Sequence, residues 1–495
     1  MPDFDVIVIG SGASGGTLAA ELAATGASVL VLERGAAHLA SPQHDEFKTL
    51  IEKRPYDDRF VEVNDQSARL YMGAGPGGGT SVYGAALLRP SEDDFHPGKH
   101  YPTRLDRRLW DWPVDYEMLA PHYARAEAMF NVASDASDDL SPLKPLAPCN
   151  GNPPLPFAPI NKRLVERARL AELNPFRLPL GIETSKCLKC AHCAGFPCPT
   201  QARRSSGELL RDAIDRGRSM TVLCNREAIR LDRTGSRISG VSVLNRQDNT
   251  EERYTATRYV LAAGAIGSPC ILQRSGIEHP ELGRNYMMHY SPIAVGIFAR
   301  RTQADATFVK QVGFADFYFG TNDLPEKMGI LQSLPAPGPL MLQKTGLKYV
   351  PAPVLNSLRR RMLPFVGIVE DLPNPANRVE WCDEGIRLTH SFSEYDRQRG
   401  AALTRAMVRV LRIAGAVHCI TREMPSREHV AHQCGTVRFG NDPEIAVVDH
   451  NCRMFGQDNL FVVDGSILPT SLGVGPSLTL IANALRVAGV LRKEL

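Results

Sequence analysis

Two short apolar runs near the start of the chain predict buried strands. Val6 to Ile9 and Val29 to Leu32 are continuously apolar and do not alternate with polar residues. This pattern is typical of strands in a parallel sheet whose two faces are both covered by helices. Between the two runs, Leu18 and Leu22 recur at helical spacing, which puts them on one face of a helix. The stretch therefore predicts a strand–helix–strand unit of a parallel sheet.

The turn between the first strand and the helix carries glycines that suit a dinucleotide. Gly10 permits the tight turn, Gly12 lets the backbone approach a pyrophosphate, and Gly15 lets the helix pack close to the strand. The helix N-terminus offers N–H groups and the positive end of its dipole to phosphates. Glu33, at the end of the second strand, is positioned for ribose hydroxyls. The alternative is an ordinary glycine turn, and these residues do not distinguish NAD from FAD.

Composition narrows the class of protein. A chain of 495 residues has room for two or three domains. A net charge of +3 without a basic stripe excludes a typical nucleic-acid-binding protein. No apolar run approaches the roughly 18 residues that cross a bilayer, and no secretory signal precedes the first strand, so we expect a cytoplasmic protein. Eleven cysteines in that setting indicate mostly reduced thiols.

A second glycine-rich segment runs from Met72 to Ala85. Its six glycines are too dense for a helix or a strand. A flexible surface loop is one interpretation. The flanking apolar residues Leu70, Val82 and Leu87 favour a buried loop, against whose backbone a flat ligand lies.

Four cysteines form a cluster, Cys187-x2-Cys190-x2-Cys193-x4-Cys198, followed by proline. This spacing approaches the iron–sulfur pattern but is one residue too long in the last interval. Zinc sites usually have two separated cysteine pairs, which this cluster lacks. A third interpretation is a loop whose thiols simply pack. We expect the third and predict no metal.

Further elements follow from the same patterns. Trp112 to Glu127 predicts an amphipathic helix, and residues 220–245 contain short strands. Tyr259 to Leu272 predicts another strand, glycine turn and helix. A long helix is predicted from Tyr395 to Ala416, and Gly473 to Val487 predicts a glycine turn that leads into a helix.

Six motifs in order give the chain a family resemblance. After the N-terminal fingerprint come Gly77-Gly-Gly-Thr with Arg89-Pro90, Gly264-Ala-Ile-Gly-Ser-Pro, Gly283-Arg-Asn, His432-x-x-Gly-Thr-x-Arg and Val463-Asp-Gly-Ser. In this order they resemble the glucose–methanol–choline (GMC) family of flavin oxidoreductases over nearly the whole chain. The resemblance implies FAD as the cofactor.

The resemblance also implies an α/β architecture of two domains. A Rossmann-like FAD-binding domain would be assembled from the discontinuous residues 1–90, 184–290 and 430–495. An α+β substrate-binding domain with its lid, from residues 91–183 and 291–429, would place a sheet over the flavin.

Particular residues are implied to hold the cofactor. The first glycines and Glu33 would hold the ADP half, the backbone near Ala228 would contact adenine, and Gly77 to Tyr83 would lie along the flavin. Val82 stands where some members tether FAD through a histidine, so we expect non-covalent FAD. The implied cofactor-binding residues are Gly10, Gly12, Ser14, Gly15, Glu33, Arg34, Gly77, Gly78, Thr80, Val82, Tyr83, Ala228, Asp464, Gly465 and Ser477.

The chemistry that the resemblance implies is oxidation of an alcohol by hydride transfer to flavin N5. The hydroxyl proton has to leave as well, so a base must lie within hydrogen-bond reach. By resemblance this base is His432, an imidazole whose ordinary pKa suits neutral pH. A second residue of the family, Asn or His, usually shares the substrate oxygen. Gly475 occupies that position here, which leaves the second hydrogen bond unassigned.

Three functions remain open at this point. The favoured one is a dehydrogenase or oxidase for a sugar, a polyol or another CH–OH donor, with oxygen, a quinone or another carrier as electron acceptor. A non-redox lyase on the same fold would use His432 only as acid and base. A dehydrogenase subunit could instead pass electrons through an iron–sulfur relay in the cysteine loop to a cytochrome. We expect a small-molecule substrate, and neither nucleic acid nor a membrane span.

Overall fold

The computed structural model describes residues 3–37, 45–147, 151–383, 385–424 and 428–495. The strands within these residues are β1 Phe4–Ile9, β2 Val29–Leu32, β3 Phe60–Val63, β4 Gln66–Arg69, β5 Pro175–Arg177, β6 Met220–Leu223, β7 Arg226–Thr234, β8 Arg237–Asn245, β9 Thr250–Tyr254, β10 Ala256–Leu261, β11 Ile293–Ile297, β12 Val312–Phe314, β13 Leu331–Ser333, β14 Met362–Gly367, β15 Arg378–Cys382, β16 Gly385–Thr389, β17 His418–Arg422 and β18 Leu460–Val462. The α-helices are α1 Ala13–Ala24, α2 Glu46–Leu50, α3 Tyr116–Met129, α4 Pro159–Leu170, α5 Ser206–Asp215, α6 Gly264–Arg274, α7 Pro339–Lys344, α8 Ala352–Arg359, α9 Glu394–Ala414 and α10 Ser477–Arg492.

A parallel sheet forms the centre of the molecule. Its strands lie in the order β18-β10-β1-β2-β6, and every neighbouring pair is parallel. All four residues of β2 are buried, as the continuous apolar run predicted. Helix α1 packs between α10 and α5 and covers the sheet. The predicted strand–helix–strand unit is confirmed, and the sheet combines N-terminal, central and C-terminal segments.

Two glycines set the spacing between α1 and the sheet. Gly10 has φ +100°, and a Cβ on it would lie 2.4 Å from the carbonyl oxygen of Ala262 in the turn after β10. A Cβ on Gly15 would lie 2.1 Å from the carbonyl oxygen of Gly10. Both distances are shorter than any real contact of a Cβ atom. The fingerprint glycines therefore bring α1 against two adjacent turns at the carboxyl ends of the parallel strands.

A second sheet, in the order β17-β11-β14-β13-β12-β5, is antiparallel. Helix α9 covers it and buries Leu403, Met407 and Leu411 against its face. This long helix begins after Ser393, whose side chain caps it, and ends at Gly415 in the left-handed conformation. These end signals explain why its predicted bounds are accurate to within two residues.

Two smaller sheets depend on pairings that local patterns do not contain. The sheet β15-β16-β3-β4 joins strands more than three hundred residues apart in the chain, with β16 and β3 parallel. The antiparallel sheet β7-β8-β9 extends the short strands predicted in residues 220–245.

One predicted helix starts later than its pattern indicated. The apolar periodicity begins at Trp112, but α3 begins at Tyr116 because the carboxylate of Asp115 accepts a hydrogen bond from the backbone N–H of Met118. Trp112 instead packs edge-on against Phe95. Within the described ranges, no helix combines the length and the apolar character that a bilayer crossing needs.

The close approach of α1 to the sheet gives a stability prediction. The variant Gly15→Ala should be less stable by at least about 1–3 kcal/mol, because its methyl group overlaps the Gly10 carbonyl. The matched control is Gly489→Ala in α10, whose Cβ would have no atom within 4 Å. That variant should gain up to about 1 kcal/mol from helix propensity. Thermal unfolding of the two variants should shift in opposite directions, and equal melting temperatures would contradict the packing argument.

Candidate active site

Two segments that are distant in the chain pair through an isolated antiparallel bridge. Met287 and Cys434 exchange both backbone hydrogen bonds, each 2.9 Å long, and form an antiparallel bridge. In an antiparallel pair, the residue two positions after one partner lies opposite the residue two positions before the other. This register brings His289 opposite His432.

The two imidazoles are joined directly. Nδ1 of His432 lies 2.9 Å from Nδ1 of His289, and the rings meet edge-to-face with centroids 4.8 Å apart. Nε2 of His289 lies 2.8 Å from the carbonyl oxygen of Leu472. His289 is 1% exposed, whereas His432 keeps part of its surface accessible. His289 follows the Gly283-Arg-Asn motif by four residues, and no sequence pattern gave it a role.

The backbone of His432 has a left-handed φ of +61°. This conformation costs a non-glycine residue about 1–3 kcal/mol and persists only where neighbours fix it. Close backbones supply that constraint: a Cβ on Gly435 would lie 2.2 Å from the carbonyl oxygen of Asn285, and a Cβ on Gly465 would lie 2.4 Å from that of Gln433. The segment is therefore held from both sides.

Burial keeps the histidine pair neutral. The pKa of His432 is lowered well below 6.5, first by desolvation and then by His289, His429 and Lys310. Desolvation lowers the pKa of His289 to about 4. The sequence analysis assumed an ordinary imidazole pKa for His432. The surrounding protein removes the water that would stabilise an imidazolium, so the site keeps a neutral base well below neutral pH.

The other ring nitrogen of His432 faces Gly475. A Cβ on Gly475 would lie 3.3 Å from Nε2 and 3.4 Å from Cε1 of His432, and apart from its chain neighbours no other atom of the described residues would lie within 4 Å. The place of a side chain is therefore open beside Nε2. A substrate hydroxyl has room there to reach the imidazole.

Lys310 also reaches this region, which no sequence pattern indicated. Its ammonium group donates to the side-chain oxygen of Gln332 at 2.9 Å. A Cβ on Gly84 would lie 2.6 Å from Cε of Lys310, so the lysine side chain passes directly over this glycine. The residue is 4% exposed, and desolvation lowers its pKa to about 8. Its charge disfavours a protonated His432.

The glycine-rich segment is a packed loop, which excludes the flexible alternative. Residues Gly78–Ser81 form a 3-10 turn. The N–H of Gly77 donates to the hydroxyl of Ser11 at 3.3 Å, and a Cβ on Gly78 would lie 3.0 Å from the Cα of Gly12. The hydroxyl of Thr80 donates to the Gly77 carbonyl at 2.6 Å. The two glycine-rich stretches thus lie against each other.

Between these stretches the chain offers a cradle that fits FAD. A Cβ on Gly12, Gly79 or Gly264 would meet no protein atom within 4 Å. Helices α1 and α10 begin without a capping side chain, so their first N–H groups are suited to an anion. Open backbone beside helix N-termini fits a flat cofactor with a pyrophosphate.

Glu33 ties the predicted ADP end together. One carboxylate oxygen accepts from the N–H and the hydroxyl of Ser11 at 3.1 and 2.5 Å, and the other accepts from the N–H groups of Gly35 and Gly75 at 2.7 and 3.2 Å. Its predicted contact with ribose stays a prediction. The neighbouring Arg34 forms ion pairs that include Glu227, beside Ala228 in β7.

Other predicted cofactor residues have clear packing partners. The hydroxyl of Ser14 donates to the Leu480 carbonyl at 3.5 Å, and Ser477 begins α10. The carboxylate of Asp464 accepts from the Gly264 N–H at 2.9 Å and from the Ser268 hydroxyl at 2.5 Å, which anchors the start of α6. These contacts place Ser14, Ser477 and Asp464 at or beside the N-termini of α1, α10 and α6.

Val82 and Tyr83, near the end of the second glycine-rich segment, contact the stretch of chain that contains the cysteine cluster. The Val82 carbonyl accepts from the Gly195 N–H at 2.8 Å, and the Tyr83 hydroxyl donates to the Arg204 carbonyl at 2.7 Å. Cys187, Cys190, Cys193 and Cys198 line one small cavity. Burial raises the pKa of Cys193 to about 12, which favours the neutral thiol. Within the described ranges, no group of three or more His, Cys, Asp or Glu side chains is positioned to hold a metal ion.

Comparisons with known proteins identify the family and the fold. Two sequence profiles of the family described as GMC oxidoreductase match the chain, over residues 156–291 and 376–484. Paromamine 6'-oxidase of Streptomyces fradiae is 28% identical, over 99% of this chain and 92% of its own length. The 2-methyl-1,2-propanediol dehydrogenase of Mycolicibacterium austroafricanum is 24% identical, over 99% and 95%. The crystal structure of pyridoxine 4-oxidase from Mesorbium loti covers 99% of both chains with a TM-score of 0.69 and 20% identity, which confirms the predicted fold class.

The cysteine loop gives a prediction about metal content. We expect anaerobically purified protein to contain no stoichiometric iron or zinc, because the last cysteine interval departs from the iron–sulfur spacing. Elemental analysis and the visible spectrum measure this. About three or four iron atoms per chain, with broad absorption beneath the flavin bands, would contradict the prediction and favour the relay function.

Proposed function

Because the chain belongs to the GMC oxidoreductase family, we propose that it oxidises an alcohol with FAD and uses His432 as the general base. GMC oxidoreductases are flavoproteins that bind FAD. The observation that carries the proposal is the geometry of His432. Its imidazole is kept neutral by its surroundings, and its Nε2 faces the open position at Gly475.

FAD, when bound, supplies the acceptor for the hydride of the substrate carbon. His432 accepts the hydroxyl proton at Nε2, so that charge does not build up on the substrate oxygen. Lys310 lies near enough to lower the pKa of His432 and therefore keeps the base unprotonated before the reaction. The missing side chain at Gly475 leaves the substrate oxygen one protein hydrogen bond fewer than in relatives with Asn or His there.

The residues of the cradle are those that would hold FAD. Gly10, Gly12 and Gly15 would receive the pyrophosphate at the start of α1, with Glu33 and Ala228 toward the adenosine. Gly77 to Tyr83 would contact the flavin. Asp464, Gly465 and Ser477 would complete the pyrophosphate side through backbone groups.

A small alcohol or sugar is the substrate class that we propose. Relatives over nearly the full length of this chain are named paromamine 6'-oxidase, 2-methyl-1,2-propanediol dehydrogenase and, at 24% identity, fructose dehydrogenase large subunit. A polyol or sugar hydroxyl fits the room beside Gly475. The acceptor of the electrons is oxygen, a quinone or another carrier.

Non-covalent attachment of FAD gives a direct prediction. Val82 has no nucleophilic atom, so it cannot form the bond to flavin that a histidine there would make. Acid precipitation of the yellow protein should leave the flavin in the supernatant. Flavin that stays on the washed precipitate would contradict the assignment of Val82.

The base gives the central mutational prediction. His432→Ala should retain FAD, because backbone groups form most of the cradle, but flavin reduction by substrate should slow by about 10² to 10⁴. This corresponds to roughly 3–5 kcal/mol of lost transition-state stabilisation. Anaerobic stopped-flow absorbance, normalised to bound FAD, measures the step.

The matched control removes an imidazole outside the site. His279→Ala removes an imidazole whose Nε2 lies 2.7 Å from the backbone carbonyl oxygen of Pro443. This control should reduce its flavin at the rate of the unmodified protein. A loss of less than about threefold in His432→Ala would remove His432 from the mechanism.

A further inference from the structure

We propose that His289 is a positioning residue: it holds the proton of His432 on Nδ1 and so leaves Nε2 of His432 free to act as the base. The inference rests on the proposed function, since it concerns the protonation of the proposed base. It assigns a role to a residue for which the sequence motif gave none.

The carbonyl of Leu472 determines which nitrogen of His289 carries its proton. A backbone carbonyl oxygen can only accept a hydrogen bond, and that of Leu472 lies 2.8 Å from Nε2 of His289. Nε2 of His289 must therefore carry a proton. His289 is buried with a pKa of about 4, so the ring is neutral and its Nδ1 has a free lone pair.

The protonation state of His289 determines which nitrogen of His432 carries its proton. The two Nδ1 atoms lie 2.9 Å apart, and a hydrogen bond needs one donor and one acceptor. His289 is the acceptor, so Nδ1 of His432 must be the donor. A neutral His432 with its proton on Nδ1 has its lone pair on Nε2, the nitrogen that faces Gly475.

A buried ion network holds the Leu472 carbonyl in place. Leu472 has a left-handed φ of +67°, and the next N–H, of Gly473, donates to the carboxylate of Asp94 at 3.3 Å. Asp94 pairs with the ammonium of Lys327 at 2.6 Å, and Lys327 also pairs with Glu370. All three ionic side chains are fully buried. The left-handed turn is thus tied to a network that has no access to solvent.

The segment of His289 is anchored as well. The N–H of Met288 donates to the carboxylate of Asp371 at 3.1 Å, and the hydroxyl of Ser471 bonds the backbone of Asp371. The ring of His289 and the turn at Leu472 are therefore attached to the same stretch of chain. This common anchor preserves the distance between the His289 ring and the carbonyl that orients it.

The role of His289 differs from that of the side chain missing at Gly475. A side chain at 475 would meet the Nε2 side of His432, whereas His289 bonds the Nδ1 side. His289 therefore sets the tautomer and orientation of the base and does not touch the substrate. Histidines in active sites and metal sites are commonly fixed in this way through their second nitrogen.

The direct test reads the tautomers by NMR. Histidine labelled with 15N in the oxidised, FAD-bound protein gives separate long-range correlations for Nδ1–H and Nε2–H rings, and the His432 and His289 signals are identified by their loss in His432→Ala and His289→Asn. We expect the Nδ1–H tautomer for His432 and the Nε2–H tautomer for His289. An Nε2–H tautomer of His432 would overturn the inference.

Kinetics of two substitutions test the consequence. His289→Leu should retain FAD and slow anaerobic flavin reduction by about 10- to 100-fold, with little change in the substrate concentration at half-saturation. His289→Asn places an amide oxygen near the former Nδ1, where it accepts from His432, and should recover most of the rate. His279→Leu, which removes a carbonyl-bound imidazole elsewhere, should leave the rate unchanged.

The outcomes separate this inference from the proposed function. If His432→Ala slows reduction but FAD-loaded His289→Leu does not, His432 remains the base and His289 is not its positioning residue. If neither variant slows reduction, the proposed function itself fails. If His289→Leu slows flavin reduction and His289→Asn does not recover the rate, the inference is also contradicted. The effect of His289 would then not come from accepting the hydrogen bond of His432 Nδ1–H.

Discussion

The site depends on how closely three backbone segments approach one another. The segment that carries His432 runs between the segment of Asn285 and that of Gly465, at distances that leave no room for a Cβ on Gly435 or Gly465. This crowding holds His432 in a left-handed conformation that it would not adopt alone. The orientation of its ring follows from the backbone around it, so the site is built into the core of the fold.

The close packing of these segments also determines the protonation state of the two histidines. Two imidazoles and the ammonium of Lys310 share a poorly solvated region, and each positive charge would oppose the others. The least costly state has neutral histidines, which is the state that a proton-accepting base requires. A short distance away, Lys327 is fully buried as well but keeps two carboxylate partners. One buried lysine therefore serves the structure through ion pairs, while the other donates to the amide oxygen of Gln332 beside the site.

The sequence predicted the parts of this arrangement that local patterns encode. The first strand–helix–strand unit and the ends of α9 follow from apolar runs, glycines and caps within short stretches. The pairing of β3 with β16 could not be predicted, because it joins segments far apart in the chain. The start of α3 was misjudged because periodicity says nothing about which residue caps a helix.

The candidate site was likewise predicted only in part, because some of its residues come together through long-range pairing. His432 was found only through the family resemblance, and its neighbours His289 and Lys310 come from other segments. The position of His289, four residues after the Gly283-Arg-Asn motif, was a usable signal, since a histidine near a motif with a glycine turn can reach an active site. Its partner could be identified only after the register between Met287 and Cys434 was known. For Lys310, no pattern in the sequence distinguishes a lysine that reaches the site from one in solvent.

The claim that buried surroundings keep His432 neutral is tested most directly by the pH dependence of flavin reduction. The groups that face its ring are His289, His429 and Lys310, and desolvation and these neighbours all lower its pKa below 6.5. The anaerobic rate at saturating substrate should therefore stay constant from about pH 7.5 to below 6.5, the unperturbed imidazole value, and decline only well below it. A decline centred at 6.5 or above would show an ordinary, solvated imidazole and would contradict the account.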